Sequence, residues 1–181
     1  MSLLLTSMQN KYKIFIISTI LITALIIYVM NKFKNISKEL PKNGNYPTRK
    51  LSDIDRIVVH HSAGSSSATP FDFARWHIND HNWPGIAYHY YISSDGEILQ
   101  TQALKYGTYH AGNDANLHGI AIVLPGNFDI SEPTNKQLRS LDQLIKILRL
   151  RFGQLPVGGH KDYQSTSCPG TSLYNYIKKY N

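Results

Sequence analysis

The chain has 181 residues, a formal net charge of +7 and a single cysteine. This length allows one ordinary domain of roughly 130 to 150 residues plus an appendage, and one cysteine excludes an internal disulfide framework. Residues 1–44 carry six Lys and one Glu (+5), whereas residues 45–181 carry thirteen Lys or Arg and eleven Asp or Glu (+2). This distribution suits lipid head groups or an anionic polymer, and we expect no nucleic-acid partner.

The first predicted element is an uncharged apolar run over Ile14–Met30, IFIISTILITALIIYVM. As a helix it would span roughly 25 Å, which is near the lower limit for crossing a bilayer. We predict a short N-terminal segment over 1–13 and a transmembrane helix or uncleaved signal anchor over 14–30. A buried core helix, a cleavable signal peptide and a helix that inserts weakly and is later released are the alternatives.

The lysines around this run bear on its orientation. Two precede it and four follow it, namely Lys11 and Lys13, then Lys32, Lys34, Lys38 and Lys42. The positive-inside rule alone would therefore place the following domain in the cytoplasm. The function expected from the motifs below requires the opposite, and we predict a single-pass membrane protein whose domain is extracytoplasmic.

Residues 31–50 are polar, contain two prolines and a glycine, and show no apolar periodicity, which predicts a linker. The domain over 51–181 then begins with a predicted strand at 56–61. Thr69 and Pro70 are typical of the N-cap and first position of a helix, which we expect to end near residue 81.

The middle of the domain predicts more strands. Residues 87–93 are β-rich, and after a turn at Asp95–Gly96 the chain returns as a hairpin partner over 97–100. The fully apolar segment Gly119–Leu124, GIAIVL, is suited to the centre of a sheet.

Helices complete the predicted fold. Thr134 and Gln137 form a capping box for the longest helix of the domain, which we expect to run through Arg151, and a short helix follows over 172–179. The predicted fold class is α/β, a single domain with a mixed central β-sheet flanked by helices.

Three residues are placed like metal ligands. The strand at 56–61 delivers His60 to a Gly/Ser-rich turn, while His160 and Cys168 lie eight residues apart in a polar segment. Imidazole and thiolate both suit Zn²⁺, and three protein ligands leave a fourth position open, as in catalytic sites. The spacing alone leaves another interpretation open, in which His60 or His61 ends a strand and Cys168 is a small buried apolar residue.

Five segments in a fixed order resemble the zinc-dependent N-acetylmuramoyl-L-alanine amidases, which include bacteriophage lysozyme-type amidases and peptidoglycan recognition proteins. They are VVHHSAG (58–64), YHYYISSDGEI (88–98), HAG (110–112), GIAIVLPGNF (119–128) and GHKDYQSTSCPG (159–170). The resemblance extends over residues 54–170. It implies a Zn²⁺ enzyme that binds peptidoglycan and hydrolyses the amide bond between N-acetylmuramic acid and L-alanine.

The resemblance also implies roles for individual residues. His60, His160 and Cys168 match the three zinc ligands, and Tyr88 matches a catalytic tyrosine. Thr166 lies where the phage enzymes have a lysine and the catalytic recognition proteins a threonine, which implies a second catalytic group.

Four further residues are candidates for substrate binding. His110, in the HAG segment, resembles a histidine of the substrate groove. Trp83 and Asn113 lie in loops beside the motifs, where an aromatic platform and an amide would suit a sugar-peptide ligand. His61 is also a candidate, although strand alternation turns it away from His60 and favours a packing or orienting role.

Three classes of function remain in competition. The first is a monomeric, membrane-anchored amidase. The second is a non-catalytic peptidoglycan-binding sensor, which the presence of Cys168 disfavours because the resemblance implies that such members typically lose this cysteine. The third is a cytosolic or regulatory protein, which only the lysine count favours.

Overall fold

The computed structural model describes residues 2–31 and 33–181, which form two compact units divided between Phe33 and Lys34. The first unit contains helix α1 (Ser2–Asn31). None of the helices in the described residues combines the length and the apolar character that crossing a membrane takes. The transmembrane helix predicted over 14–30 is therefore not confirmed. Within that range, the side chains of residues 22, 23, 25–27, 29 and 30 lie outside the described ones.

The second unit is built on a mixed sheet with the strand order β1-β4-β3-β5-β2-β6. The strands are β1 (Lys34–Asn35), β2 (Arg56–His61), β3 (Tyr90–Ile92), β4 (Ile98–Gln100), β5 (Gly119–Leu124) and β6 (Val157–Gly159). Strand β2 lies between β5 and β6 and runs parallel to both, whereas β3 and β4 are antiparallel. Every residue of β5 is buried, as expected for a continuous apolar strand in the sheet centre.

Four helices belong to this unit: α2 (Pro70–His81), α3 (Asn113–His118), α4 (Asn135–Phe152) and α5 (Thr171–Ile177). The predicted caps of α2 and α4 are present. The Thr69 hydroxyl accepts from the Asp72 backbone N–H, and the Thr134 hydroxyl accepts from that of Gln137. Helix α4 buries one apolar face, formed mainly by Leu141, Leu144, Ile145 and Leu148. The predicted α/β domain with a mixed sheet flanked by helices is confirmed.

Two short elements and one shortened strand differ from the prediction. Neither α3 nor β6 was predicted from the sequence. The strand expected over 87–93 covers only residues 90–92. At residue 89 a side-chain nitrogen, and not a backbone carbonyl, accepts the hydrogen bond from the neighbouring strand. His89 Nδ1 accepts from the Ala121 N–H at 3.0 Å, while the His89 N–H donates to the Ala121 carbonyl at 3.0 Å.

The linker predicted over 31–50 also differs from the structure, because from Lys34 onward it is folded onto the domain. Strand β1 pairs with β4, and Ile36, Leu40 and Tyr46 are 3%, 5% and 8% exposed. These apolar residues are isolated and irregularly spaced, so no periodicity marked them as core.

Candidate metal centre

The three predicted ligands come together at one edge of the sheet. His60 lies in β2, His160 begins a 3₁₀ turn directly after β6, and Cys168 lies in the loop before α5. Since β2 and β6 are adjacent and parallel, their carboxyl ends meet at this edge. One ligand atom from each of the three residues lies within 4.8 Å of the others, so this group could hold a metal ion.

The spacing and the donor types both fit a tetrahedral metal ion. The distance between His60 Nδ1 and Cys168 Sγ is 3.6 Å. Tetrahedral zinc, bonded to nitrogen and sulfur at its usual lengths, would separate these two atoms by about 3.6 Å. Two imidazoles and one thiol form a set that zinc accepts while leaving a fourth position open.

Each histidine of the group has its outer nitrogen engaged. His60 Nε2 lies 3.1 Å from His110 Nδ1, and His160 Nε2 lies 2.8 Å from Gln164 Oε1. An amide oxygen only accepts, so His160 Nε2 carries a proton, and Nδ1 is the ring nitrogen left to bind a metal. Ligating histidines in metalloproteins commonly donate their second nitrogen in this way.

Burial sets the protonation of the group. It holds the pKa of His60 well below its usual range, and the neighbouring His110 and His160 lower it further, so the His60 imidazole is neutral as a metal ligand must be. Burial raises the pKa of the Cys168 thiol to about 12. Without a metal the thiol is therefore protonated at neutral pH, and metal binding has to displace that proton.

The side chains of Tyr88 and Thr166, the two predicted catalytic residues, lie next to this centre. The Tyr88 ring is 5.2 Å from the His60 ring, and burial followed by the nearby Cys168 raises the pKa of the phenol, which is therefore a donor at neutral pH. The exposed Thr166 accepts a hydrogen bond from the Cys168 N–H at 3.2 Å through Oγ1, so its own O–H remains able to donate.

Trp83 and Asn113 are both associated with Tyr109. Half-buried Trp83 stacks on His81, with ring centroids 4.5 Å apart, and on Tyr109 at 6.0 Å. Exposed Asn113 and the same Tyr109 line a cavity of about 260 Å³. The structure therefore connects these two predicted substrate-binding residues through Tyr109.

Unlike Trp83 and Asn113, His61 and His110 are buried. They are 4% and 5% exposed. His61 Nδ1 accepts from the Phe128 N–H at 3.2 Å, and its carbonyl oxygen lies 3.8 Å from Cys168 Sγ. His110 contacts His60. These positions favour orienting roles over direct contact with a substrate.

Gln164, like Tyr109, was not predicted from the sequence as a residue of this site. It follows His160 by four residues, and the intervening 3₁₀ turn (His160–Asp162) brings its amide oxygen back to the imidazole. The polar run between His160 and Cys168 gave no signal that distinguished Gln164 from its neighbours.

Comparison with known proteins decides the family. The profile of the Amidase_2 family, described as N-acetylmuramoyl-L-alanine amidase, matches residues 50–171. The chain belongs to this family. The resemblance drawn from its five motifs is thus confirmed.

Relatives of this Amidase_2 protein include both recognition proteins and an amidase. Peptidoglycan-recognition protein SC2 of Drosophila simulans is 28% identical over 145 residues, which cover 74% of this chain and 78% of that protein. Peptidoglycan recognition protein 1 of Mus musculus is 29% identical over 137 residues, covering 68% and 74%. The solved structure of the endolysin N-acetylmuramoyl-L-alanine amidase LysCS from Clostridium intestinale URNW is 28% identical, with a TM-score of 0.66 and coverage of 82% and 93%.

The raised pKa of Cys168 predicts how metal affinity depends on pH. Because zinc binds the thiolate, each bound ion displaces the thiol proton. Release of this one proton should raise the zinc affinity about tenfold per pH unit between pH 6 and 8. Competition with a chromophoric chelator at pH 6, 7 and 8 measures this slope. An affinity that does not change with pH would show that the thiol is not a ligand.

Proposed function

We propose that this protein is a zinc-dependent amidase that hydrolyses the bond between N-acetylmuramic acid and L-alanine in peptidoglycan. The observation that carries the proposal is the group His60, His160 and Cys168, whose ligand atoms lie within 4.8 Å of one another. Membership of the Amidase_2 family supports it, because the description of that family names this activity.

The ligand set suits hydrolysis at neutral pH. When bound, zinc supplies Lewis-acid polarisation of a carbonyl and lowers the pKa of a water. The two imidazoles are neutral ligands and Cys168 contributes one negative charge, so the loaded centre keeps about one net positive charge, which favours negative charge developing on an amide oxygen.

The two hydroxyls have complementary roles in this proposal. Hydrolysis adds a water oxygen to the carbonyl carbon, breaks the C–N bond and delivers a proton to the departing amine of L-alanine. Tyr88, protonated and beside His60, is placed to orient the water or pass its proton toward that amine. Thr166 has a free O–H with which to stabilise the carbonyl oxygen.

The surface of Trp83, Tyr109 and Asn113 is proposed to hold the sugar-peptide. Stacked aromatic rings offer an apolar face to a sugar ring, and the exposed Asn113 amide offers both a donor and an acceptor. This surface adjoins the catalytic centre through His77, whose ring is 5.1 Å from Trp83 and 5.4 Å from Tyr88.

Incubating the full chain with purified peptidoglycan tests the activity. Labelling of new amino termini should reveal N-terminal alanine, and the signal should disappear with a zinc chelator or with Cys168→Ser, which removes the thiolate ligand. His118→Ala, on the exposed side of α3, is the matched control and should keep the activity. If no amino termini appear while the chain still co-sediments with peptidoglycan, the protein is a sensor instead.

Removing either hydroxyl should slow the reaction without removing the metal. Tyr88→Phe is expected to lower kcat by roughly 10²- to 10⁴-fold, and Thr166→Val by roughly 10²- to 10³-fold, because each loses a polar group used in the transition state. Zinc content, measured by atomic absorption, should stay at the wild-type value. The control is Tyr91→Phe, which removes a hydroxyl that donates a hydrogen bond to the Ala68 carbonyl. Wild-type kcat in both test variants would contradict these roles.

We further propose that the chain is held at a membrane with its domain outside, a proposal that rests on the uncharged run over 14–30. When cells express the chain with a C-terminal tag, the tagged chain should stay in the membrane fraction after carbonate washing. External protease should remove the tag from intact cells. A tag that external protease cannot reach would favour a cytoplasmic domain, in agreement with the lysine count.

A further inference from the structure

A continuous series of contacts leads from the backbone of α3 to the metal centre. His110 Nε2 lies 3.0 Å from the Ala115 carbonyl oxygen, and His110 Nδ1 lies 3.1 Å from His60 Nε2. The far nitrogen of His60, Nδ1, lies 3.6 Å from Cys168 Sγ.

The direction of each hydrogen bond follows from the first one. A carbonyl oxygen only accepts, so His110 Nε2 carries a proton and donates it to Ala115. His110 and His60 are 5% and 1% exposed, and burial disfavours the charged form of an imidazole, so each ring keeps one N–H. His110 Nδ1 is then an acceptor, His60 Nε2 donates to it, and the lone pair of His60 is left on Nδ1.

The position of the His110 ring is fixed by the residues around it. Asn116 Oδ1 accepts from the His110 N–H at 2.7 Å and from the Ala111 N–H at 2.8 Å, which ties this segment to α3. A Cβ at Gly119 would lie 2.7 Å from the Ala115 oxygen and 3.2 Å from His110 Cε1. The absence of a side chain there leaves room for the ring and for the carbonyl that holds it.

We propose that His110 is a positioning residue that commits His60 to bind the metal through Nδ1. It does so by accepting the Nε2 proton of His60 while the α3 backbone fixes its own ring. The inference rests on the proposed zinc site, and it replaces the predicted contact of His110 with substrate.

Gln164 provides an internal comparison, because it engages the outer nitrogen of His160 in the same way. Gln164 is exposed, so water can take the place of its amide oxygen if the side chain is removed. No such replacement is open at buried His110. The loss of His110 should therefore cost more zinc affinity than the loss of Gln164.

The test measures the zinc Kd of the full chain by chelator competition. His110→Phe should raise the Kd about ten- to a hundredfold, the usual range for losing an outer hydrogen bond to a metal ligand. His110→Asn should recover much of the affinity, since the amide oxygen of asparagine can stand near the position of Nδ1. Gln164→Ala should have a smaller effect than His110→Phe.

His77→Phe is the matched control for His110→Phe. His77 is also a buried histidine, 1% exposed, and its Nδ1 accepts from the Ala87 N–H at 3.1 Å. Its loss should destabilise the fold without changing the zinc Kd. The visible spectrum of the Co²⁺-loaded chain provides a second readout, which should change with His110→Phe and stay constant with His77→Phe.

The outcomes separate this inference from the proposed function. If wild type binds zinc and a folded His110→Phe binds it equally well, the inference is wrong and the amidase proposal stands. If wild type binds no zinc, both are wrong. Should His110→Phe fail to fold, ¹⁵N NMR of the metal-free wild type decides: an Nε2–H tautomer of His60 supports the inference, and an Nδ1–H tautomer overturns it.

Discussion

The parallel pairing of β2 with β6 is the constraint on which the site depends. Its register places Val59 opposite Gly159, and the residue that follows each of these in the chain is a histidine of the candidate metal centre. Gly159 also admits the third ligand, because a Cβ there would lie 2.5 Å from Pro169 Cδ in the loop that carries Cys168. A shift of this pairing by one residue would turn His60 to the other face of the sheet and separate it from His160.

The interior around this pairing contains several buried histidines. In three of them a hydrogen bond from a backbone N–H offsets the free-energy cost of burying a polar ring. His89 bonds to the Ala121 N–H, His61 to the Phe128 N–H and His77 to the Ala87 N–H. Each partner defines which ring nitrogen is the acceptor and thus fixes the tautomer. The domain therefore holds several neutral imidazoles in fixed orientations around the candidate metal centre.

Much of the fold was predictable because its signals are local. The apolar run of β5 and the capping boxes at Thr69 and Thr134 depend on neighbouring residues, and these elements lie where the sequence placed them. The grouping of His60, His160 and Cys168 was predictable from residue chemistry and the order of the motifs. By contrast, the roles of His110 and Gln164 depend on tertiary contacts, and the short strand β6 has two glycines among its three residues, so its place in the sheet is set by packing against β2.

Arg49 ties the segment that precedes the Amidase_2 match to the matched region. Its guanidinium donates to the carbonyls of Leu104, Leu117 and Gly119, at 2.8, 2.9 and 2.8 Å, and so joins the segments on either side of α3. The Amidase_2 match begins at residue 50, one residue after this arginine. A chain cut at the family boundary would leave three carbonyls without these donors, at a cost of about 1–3 kcal/mol for each one that stays buried and unpaired. Arg49, which lies outside the family match, thus stabilises the region within it.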